Sequence, residues 1–286
     1  MDEGEPKMVT ISDSDVINKE PRVLLCGIGW VGQFCNAYFP NADIVNSKGY
    51  VKKDYDHYDL AIISVPTPMN PETGECDTSI VEECLCNYLE CVDIFLIKST
   101  VSIGTCDRLS KELGADICMS PEYIGETLGH KLVEPKRDTF IIIGGKKDVR
   151  EKVAFMWESV LHADSTIFLC DAIEAEVIKY MENYWIMRRV DYWNDVYDMS
   201  LLYGVSFNTL REGLVLDPRL GRTHSFVYPD NRGWGGKCLP KDMNALAYQL
   251  KKIGAPNEVL EQLIDKNANR RKHYRNNNLL KPEGGA

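Results

Sequence analysis

The stretch of this sequence best suited to covalent chemistry is Gly235-Gly236-Lys237-Cys238-Leu239-Pro240-Lys241-Asp242. A glycine pair frees the backbone ahead of Cys238, and the following Pro-Lys-Asp places a cation beside the sulfur. A neighbouring lysine lowers a thiol pKa, and the thiolate is the attacking species. Cys26 and Cys118 lie in apolar runs instead and read as buried core thiols. Lys179 and Asn183 are four residues apart in a stretch without helix breakers, so they share a face and can both donate hydrogen bonds to an oxyanion. Glu122 and Glu126 follow an apolar run and Pro121, where a loop leaves the edge at which open α/β sheets bind ligands. Taken singly, these residues read equally as a solvated lysine, a surface asparagine and surface carboxylates.

A second motif concerns phosphate. Gly27-Ile28-Gly29-Trp30-Val31-Gly32 follows the apolar run Val23–Cys26 directly. In a G-x-G-x-x-G, the first glycine permits the tight turn and the second lets the backbone approach a pyrophosphate. The third lets the next helix pack on the sheet with its N-terminus facing the phosphate charge. An acidic residue is expected about 20 residues on, to hold the ribose hydroxyls. This chain has Asn46-Ser47-Lys48 there. Asn46 can still hydrogen-bond a ribose, while Lys48 suits a 2′-phosphate, so both NAD and NADP stay open on these residues.

These groups need a frame. Short apolar runs at Val23–Cys26, Ala42–Val45, Leu60–Val65, Ile94–Ile97, Ile117–Met119, Phe140–Ile143 and Ile167–Leu169 suit strands buried on both faces. Helix-period stretches at Ser79–Cys91, Cys106–Leu113 and Val149–Leu161 lie between them. Alternation of this kind predicts a parallel α/β sheet with right-handed crossovers, a Rossmann-like dinucleotide-binding domain. After Asp171 the strands stop. One long helix is expected over Ala172–Tyr203, with Asp171 as its cap and Gly204 as its end. Shorter helices follow at Ser206–Glu212, Pro240–Ile253 and Asn257–Arg271. The expected layout is a tail over 1–20, the α/β domain over 21–170, an all-helical domain over 171–272 and a frayed end over 273–286.

Composition narrows the class. The chain has 286 residues, is 44% hydrophobic and carries a net charge of −10, so a nucleic-acid partner is not expected. Arg211, Arg219, Arg222, Arg232, Lys237 and Lys241 group between 211 and 241, as a phosphorylated ligand or a solvated loop would require. No apolar run is long enough to cross a membrane, and the N-terminus lacks the pattern of a signal peptide. A cytoplasmic location follows as an expectation, with the ten cysteines as thiols. No metal site is expected.

Five segments in order, Val65-Pro66-Thr67-Pro68, Lys98-Ser99-Thr100-Val101, Pro121 to Glu126, Glu176 to Asn183 and Gly235 to Asp242, resemble the UDP-glucose/GDP-mannose dehydrogenase family. The resemblance runs from about Arg22 to about Arg271. It implies NAD as cofactor, held by Gly27, Gly29, Trp30, Val31, Gly32, Asn46, Val65, Pro66, Thr67, Ser99, Thr100, Glu126 and Lys241. It implies a nucleotide-sugar substrate, UDP-glucose by default, against Glu122, Tyr123, Ile124, Lys179, Asn183, Arg219, Gly235 and Cys238. The implied reaction is a two-step oxidation of a primary alcohol to a carboxylate. Cys238 traps the aldehyde and carries the thioester, and Lys179 and Asn183 stabilise oxyanions. Asp242 or a water takes the first proton, and Glu126, with Thr100, activates the hydrolytic water. In the family the helical region forms a dimer core. Val177, Met181, Tyr184, Ile186 and Val190 make the long helix apolar on more than one face, so a homodimer is expected.

The sequence also departs from the family pattern. Members generally carry a third domain that helps hold the nucleotide, and this chain stops shortly after the helix that would lead to it; a natural short form, a truncated chain and a protein with a different substrate all stay open. Gly125 and Lys237 replace a larger and a smaller residue respectively. The same chemistry on another primary alcohol, and a cofactor-binding subunit without turnover, therefore stay open as alternatives.

Overall fold

A computed structural model of the chain describes residues 20–123 and 140–278. Ile124, Gly125 and Glu126 lie outside the described residues, as do the first 19 residues and 279–286. The described residues form two compact units, 20–67 with 78–177 and 68–77 with 178–278.

The first unit is an eight-stranded sheet: β1 (Val23–Cys26), β2 (Asp43–Asn46), β3 (Gly49–Lys52), β4 (Leu60–Ile63), β5 (Ile94–Ile97), β6 (Asp116–Met119), β7 (Phe140–Gly144) and β8 (Thr166–Cys170). Their order is β3-β2-β1-β4-β5-β6-β7-β8. β1, β4 and β5 are buried at every position, which is why they read as continuous apolar runs. Helices α1 (Trp30–Tyr38), α2 (Ser79–Tyr88), α3 (Thr105–Leu113) and α4 (Lys147–Glu158) cover the sheet. Val23, Leu25, Leu60, Ile62, Ile94 and Leu96 pack with Phe34 and Tyr38 of α1 and Val149, Val153 and Trp157 of α4. Strand alternation turns Leu24, Ala61 and Phe95 to the other face, where right-handed crossovers carry α2 and α3.

Two features correct the expectation of a parallel sheet. β3 pairs antiparallel to β2 in a hairpin. It was not expected as a strand because Tyr50 and Val51 are exposed and leave no buried apolar run. β7 runs antiparallel to β6 and parallel to β8, and the apolarity of a short run carries no information about strand direction.

The helical unit follows the expected order. α5 (Ala172–Leu202) is continuous, and α6 (Phe207–Leu214), α7 (Cys238–Lys252) and α8 (Glu258–Asn278) come after it. At its start Glu174 accepts the Asp171 N–H at 2.7 Å. At its end Gly204 takes φ 62°, and the Val205 N–H returns to the Ser200 carbonyl at 2.9 Å. α8 continues to Asn278, past the expected end at Arg271. Among the described residues no helix is long and apolar enough to cross a membrane.

Candidate active site

In the first unit the strand order reverses between β1 and β4, and ligands of open α/β sheets bind at the carboxyl ends of the strands at such a point. Those ends carry the Gly27 loop and Ser64-Val65-Pro66. The edge is tied together locally. Gly27 N donates to Val45 O at 2.9 Å, and Ser64 Oγ donates to the Cys26 and Gly27 carbonyls at 3.2 Å. Ser99 Oγ donates to Val65 O at 2.7 Å, and Thr67 Oγ1 to Thr100 O at 2.8 Å. The structure thus brings Val65, Pro66, Thr67, Ser99 and Thr100 to the edge that holds the glycine loop.

The three glycines differ in a way that fits a pyrophosphate. A Cβ on Gly27, at φ +95°, would lie 2.6 Å from the Ser64 carbonyl oxygen, and one on Gly32 would lie 2.1 Å from the Gly27 carbonyl oxygen. Both are required by the protein's own packing. A Cβ on Gly29 would meet nothing within 4 Å, so the space over the second glycine is open to a ligand. Gly29 is the N-cap of α1 with no side-chain cap bond, and the first turn of α1 holds no acidic residue. Its N–H groups therefore remain for an anion. Trp30 is 67% exposed beside this loop. Asn46 ends β2, where Oδ1 accepts the Lys48 N–H at 2.8 Å.

Glu122 follows β6 at the same edge. Its Oε2 lies 3.5 Å from Lys98 Nζ, and its Oε1 accepts the Tyr123 N–H at 2.8 Å. Lys98 received no role from sequence, yet its ammonium is buried. It donates to Ser120 Oγ at 3.2 Å and sits 5.4 Å from the Trp157 ring centre. Glu176 is another residue left without a role. It is 1% exposed, and its carboxylate accepts the N–H groups of Gly104 and Cys106 at 2.5 and 2.8 Å, at the start of α3. Burial raises its pKa against these hydrogen bonds.

In the second unit Asn183 Nδ2 donates to Asp242 Oδ2 at 2.6 Å, with Asp242 fully buried. Asp242 Oδ1 lies 2.6 Å from Lys241 Nζ, and Lys179 Nζ lies 3.4 Å from Glu182 Oε2. Cys238 is the first residue of α7 and is exposed. It precedes Asp242 by one helical turn, as Lys179 precedes Asn183, so two helix faces meet at the Asn183–Asp242 bond. The buried thiols differ in kind: burial pushes Cys118 up to about 12 and Cys170 up to about 11.

The loop ahead of Cys238 rests on contacts that span distant parts of the chain. Arg232 is 1% exposed. Its Nε donates to Asn194 Oδ1 at 2.7 Å, and one terminal nitrogen donates to Asn194 O at 2.9 Å and Asp198 Oδ1 at 2.5 Å. Gly233 N donates to the same Asn194 Oδ1 at 3.0 Å, and Trp234 N to Asn267 Oδ1 at 2.9 Å. A Cβ on Gly235 would fall 2.8 Å from the Arg271 guanidinium. The missed signal was the spacing of Asp191, Asp195 and Asp198 on α5 against Lys266 and Arg270 on α8, which pair at 2.7 to 3.2 Å. Arg219 stands apart, with an 87% exposed side chain paired to Asp217 at 2.5 Å. Arg222 and Arg211 pair with Glu212, so these three cations answer local carboxylates.

Residues 41–159 match the NAD binding domain of the UDP-glucose/GDP-mannose dehydrogenase family, and residues 173–269 match its central domain. The chain belongs to this family. It is 26% identical over 240 residues to the UDP-glucose 6-dehydrogenase of Campylobacter jejuni, covering 82% of this chain and 59% of that protein. The chain thus spans little more than half the length of that relative.

Likeness in fold reaches wider than the family. The UDP-glucose dehydrogenase of the hyperthermophilic archaeon Pyrobaculum islandicum superposes with a TM-score of 0.74 at 19% identity, over 89% of this chain and 70% of that one. The Mycobacterium tuberculosis 3-hydroxyisobutyrate dehydrogenase gives 0.68 at 14% identity, over 88% and 94%. The fold is therefore shared with dehydrogenases of different names. What points to a particular chemistry for this family member is the set on α5 and α7.

Proposed function

We propose that the chain carries the catalytic parts of a nucleotide-sugar 6-dehydrogenase. The reaction is NAD-dependent oxidation of a primary alcohol to a carboxylate, with UDP-glucose to UDP-glucuronate the first case to test. The observation that supports it most is the 2.6 Å Asn183–Asp242 bond, which joins a helix face bearing Lys179 to one bearing Cys238. We assign dinucleotide binding to the first unit and the nucleophile to the second. Gly27, Gly29 and Gly32 would hold the pyrophosphate of NAD, with Val65, Thr67 and Ser99 along the adjoining strand ends. Bound NAD supplies a two-electron hydride acceptor, and a four-electron oxidation needs two in turn.

The chain's own residues do the rest. Asp242, or a water beside it, takes the hydroxyl proton of the alcohol. At the aldehyde stage the Cys238 sulfur bonds to the carbonyl carbon as the π electrons move onto oxygen. Lys179 and Asn183 donate hydrogen bonds to that oxygen. Once the adduct is oxidised to a thioester, water adds, the C–S bond breaks and the thiolate leaves as the carboxylate forms. Glu126 is assigned as the base for that water. Covalent capture keeps the aldehyde from escaping between oxidations. Purified protein with NAD and a panel of nucleotide sugars tests this: two reduced cofactors per sugar consumed are expected. One per sugar, with free aldehyde as product, would overturn the thioester route.

The glycine loop yields its own prediction. Gly29→Ala is expected to leave thermal stability within about 1 kcal/mol of wild type while weakening NAD binding roughly tenfold. Gly32→Ala is expected to cost about 2 kcal/mol by overpacking. Calorimetry of unfolding and of NAD binding separates the two, and equal NAD affinity in Gly29→Ala would remove the pyrophosphate from this loop.

A homodimer is part of the same proposal. Met181, Trp185, Tyr192 and Met199 are 41–60% exposed along α5, and the last three repeat every seven residues on one face. Light scattering is expected to give twice the chain mass, and Trp185→Glu to halve it. A monomeric wild type at micromolar concentration would refute the pairing.

A further inference from the structure

The end of β2 is where a dinucleotide site recognises the adenosine ribose, and here it is built from hydrogen-bond donors. We propose that the β2–β3 hairpin is a phosphate-monoester subsite, so that a cofactor with a 2′-phosphate binds at least as tightly as one with a free 2′-hydroxyl. The inference rests on the dinucleotide reading of the Gly27 loop.

Position comes first. Gly27 N donates to Val45 O at 2.9 Å, so Asn46 follows the residue to which the glycine loop is bonded. Asn46 pairs with Gly49 across the hairpin, which leaves Ser47 and Lys48 as its two-residue turn. Gly49 at φ 105° permits so short a reversal. The turn is exposed beside the nucleotide loop.

Chemistry decides between the two riboses. A free diol is held by an acceptor, ordinarily a carboxylate. Asn46 offers one neutral amide oxygen in place of a carboxylate, and that oxygen already accepts the Lys48 N–H at 2.8 Å. Its amide N–H groups, the Ser47 hydroxyl and the Lys48 ammonium remain. That is a donor set for an anion, with one full positive charge.

The neighbouring charges do not cancel it. Lys52 is engaged by Asn41 O and Asp54, each at 3.2 Å, and Lys53 by Asp56 at 3.0 Å. Among the described residues the Lys48 ammonium has no ion pair. Asp43 is the acid on β2. It is fully buried, and its carboxylate is occupied by the Asp54 and Tyr55 N–H groups and the Tyr58 hydroxyl, at 2.8 to 2.9 Å. The unspent charge at this end of the sheet is cationic.

Titration calorimetry of the full chain with NAD⁺ and with NADP⁺ tests the proposal, using wild type, Lys48→Ala and Asn46→Asp. In wild type NADP⁺ is expected to bind as tightly as NAD⁺ or more tightly, with the steeper loss on adding salt. Lys48→Ala is expected to weaken NADP⁺ roughly tenfold and leave NAD⁺ unchanged. Asn46→Asp is expected to shift the preference to NAD⁺. Wild type binding NAD⁺ tenfold or more tightly than NADP⁺, or Lys48→Ala leaving NADP⁺ unaffected, would overturn the subsite. Binding of neither cofactor would overturn the dinucleotide reading itself and the subsite with it.

Discussion

Cys238→Ser is expected to lower carboxylate formation by about 10³-fold or more while the protein unfolds at the wild-type temperature. Both halves of that expectation come from the position of the residue. Cys238 opens α7 and is exposed, so replacing sulfur by oxygen disturbs no buried core and no helix interior. The chemical loss is large because a serine hydroxyl has almost no anionic fraction near neutral pH. Reduced-cofactor yield and product mass are the measurements. A variant that still makes carboxylate at the wild-type rate would show that the sulfur is not on the reaction path.

Arg232→Ala is expected to destabilise the helical unit by about 2–4 kcal/mol, because it empties a buried site and removes the donors that Arg232 gives to Asn194 and Asp198. For a unit of this size that is a fall in unfolding temperature of roughly 10 °C or more. The guanidinium fills one place between Asn194, Asp198 and the Tyr197 ring 4.3 Å away. No smaller side chain can answer all three. Arg232→Lys keeps the charge and loses the planar fork, so an intermediate fall is expected. The proposed thioester reaction should weaken in the same order, since Gly233 N shares the Asn194 oxygen with Arg232 and the segment from there leads to Cys238. An alanine variant as stable as wild type would mean that the loop is held by other contacts.

The parts of the molecule that could be read from sequence are those where the signal is local. Val23–Cys26 followed by three spaced glycines declared a strand and the turn into α1, because the turn at Gly27 and the packing at Gly32 each demand glycine at a fixed offset. Lys179 with Asn183 could be grouped because four residues make one helical turn, whereas Cys238 was expected ahead of a helix starting at Pro240 and instead opens that helix. What stayed hidden depends on partners far along the chain. Arg232 and Asn194 are 38 residues apart, and nothing in the type of either residue says which cation meets which amide. Lys98 carried no role in the sequence because its burial depends on Ser120 and Glu122, which follow β6 and lie against it. The reversed direction of β7 and the exposed hairpin strand β3 were lost for a simpler reason, since hydrophobic pattern reports burial and is silent on orientation.

The uneven exposure of the cysteines has a practical consequence. Of the ten thiols, Cys86 and Cys238 are exposed, and the others are buried or half-buried. Alkylation should therefore proceed in kinetic classes. In a Cys86→Ser background one equivalent of iodoacetamide would react ahead of the remaining thiols. That equivalent counts competent molecules in any preparation. The same exposure makes the protein vulnerable: a mild peroxide would take Cys238, the proposed nucleophile, to its sulfenic acid while the core thiols survive. Inactivation should be complete before the fold is damaged, and a small thiol should restore it.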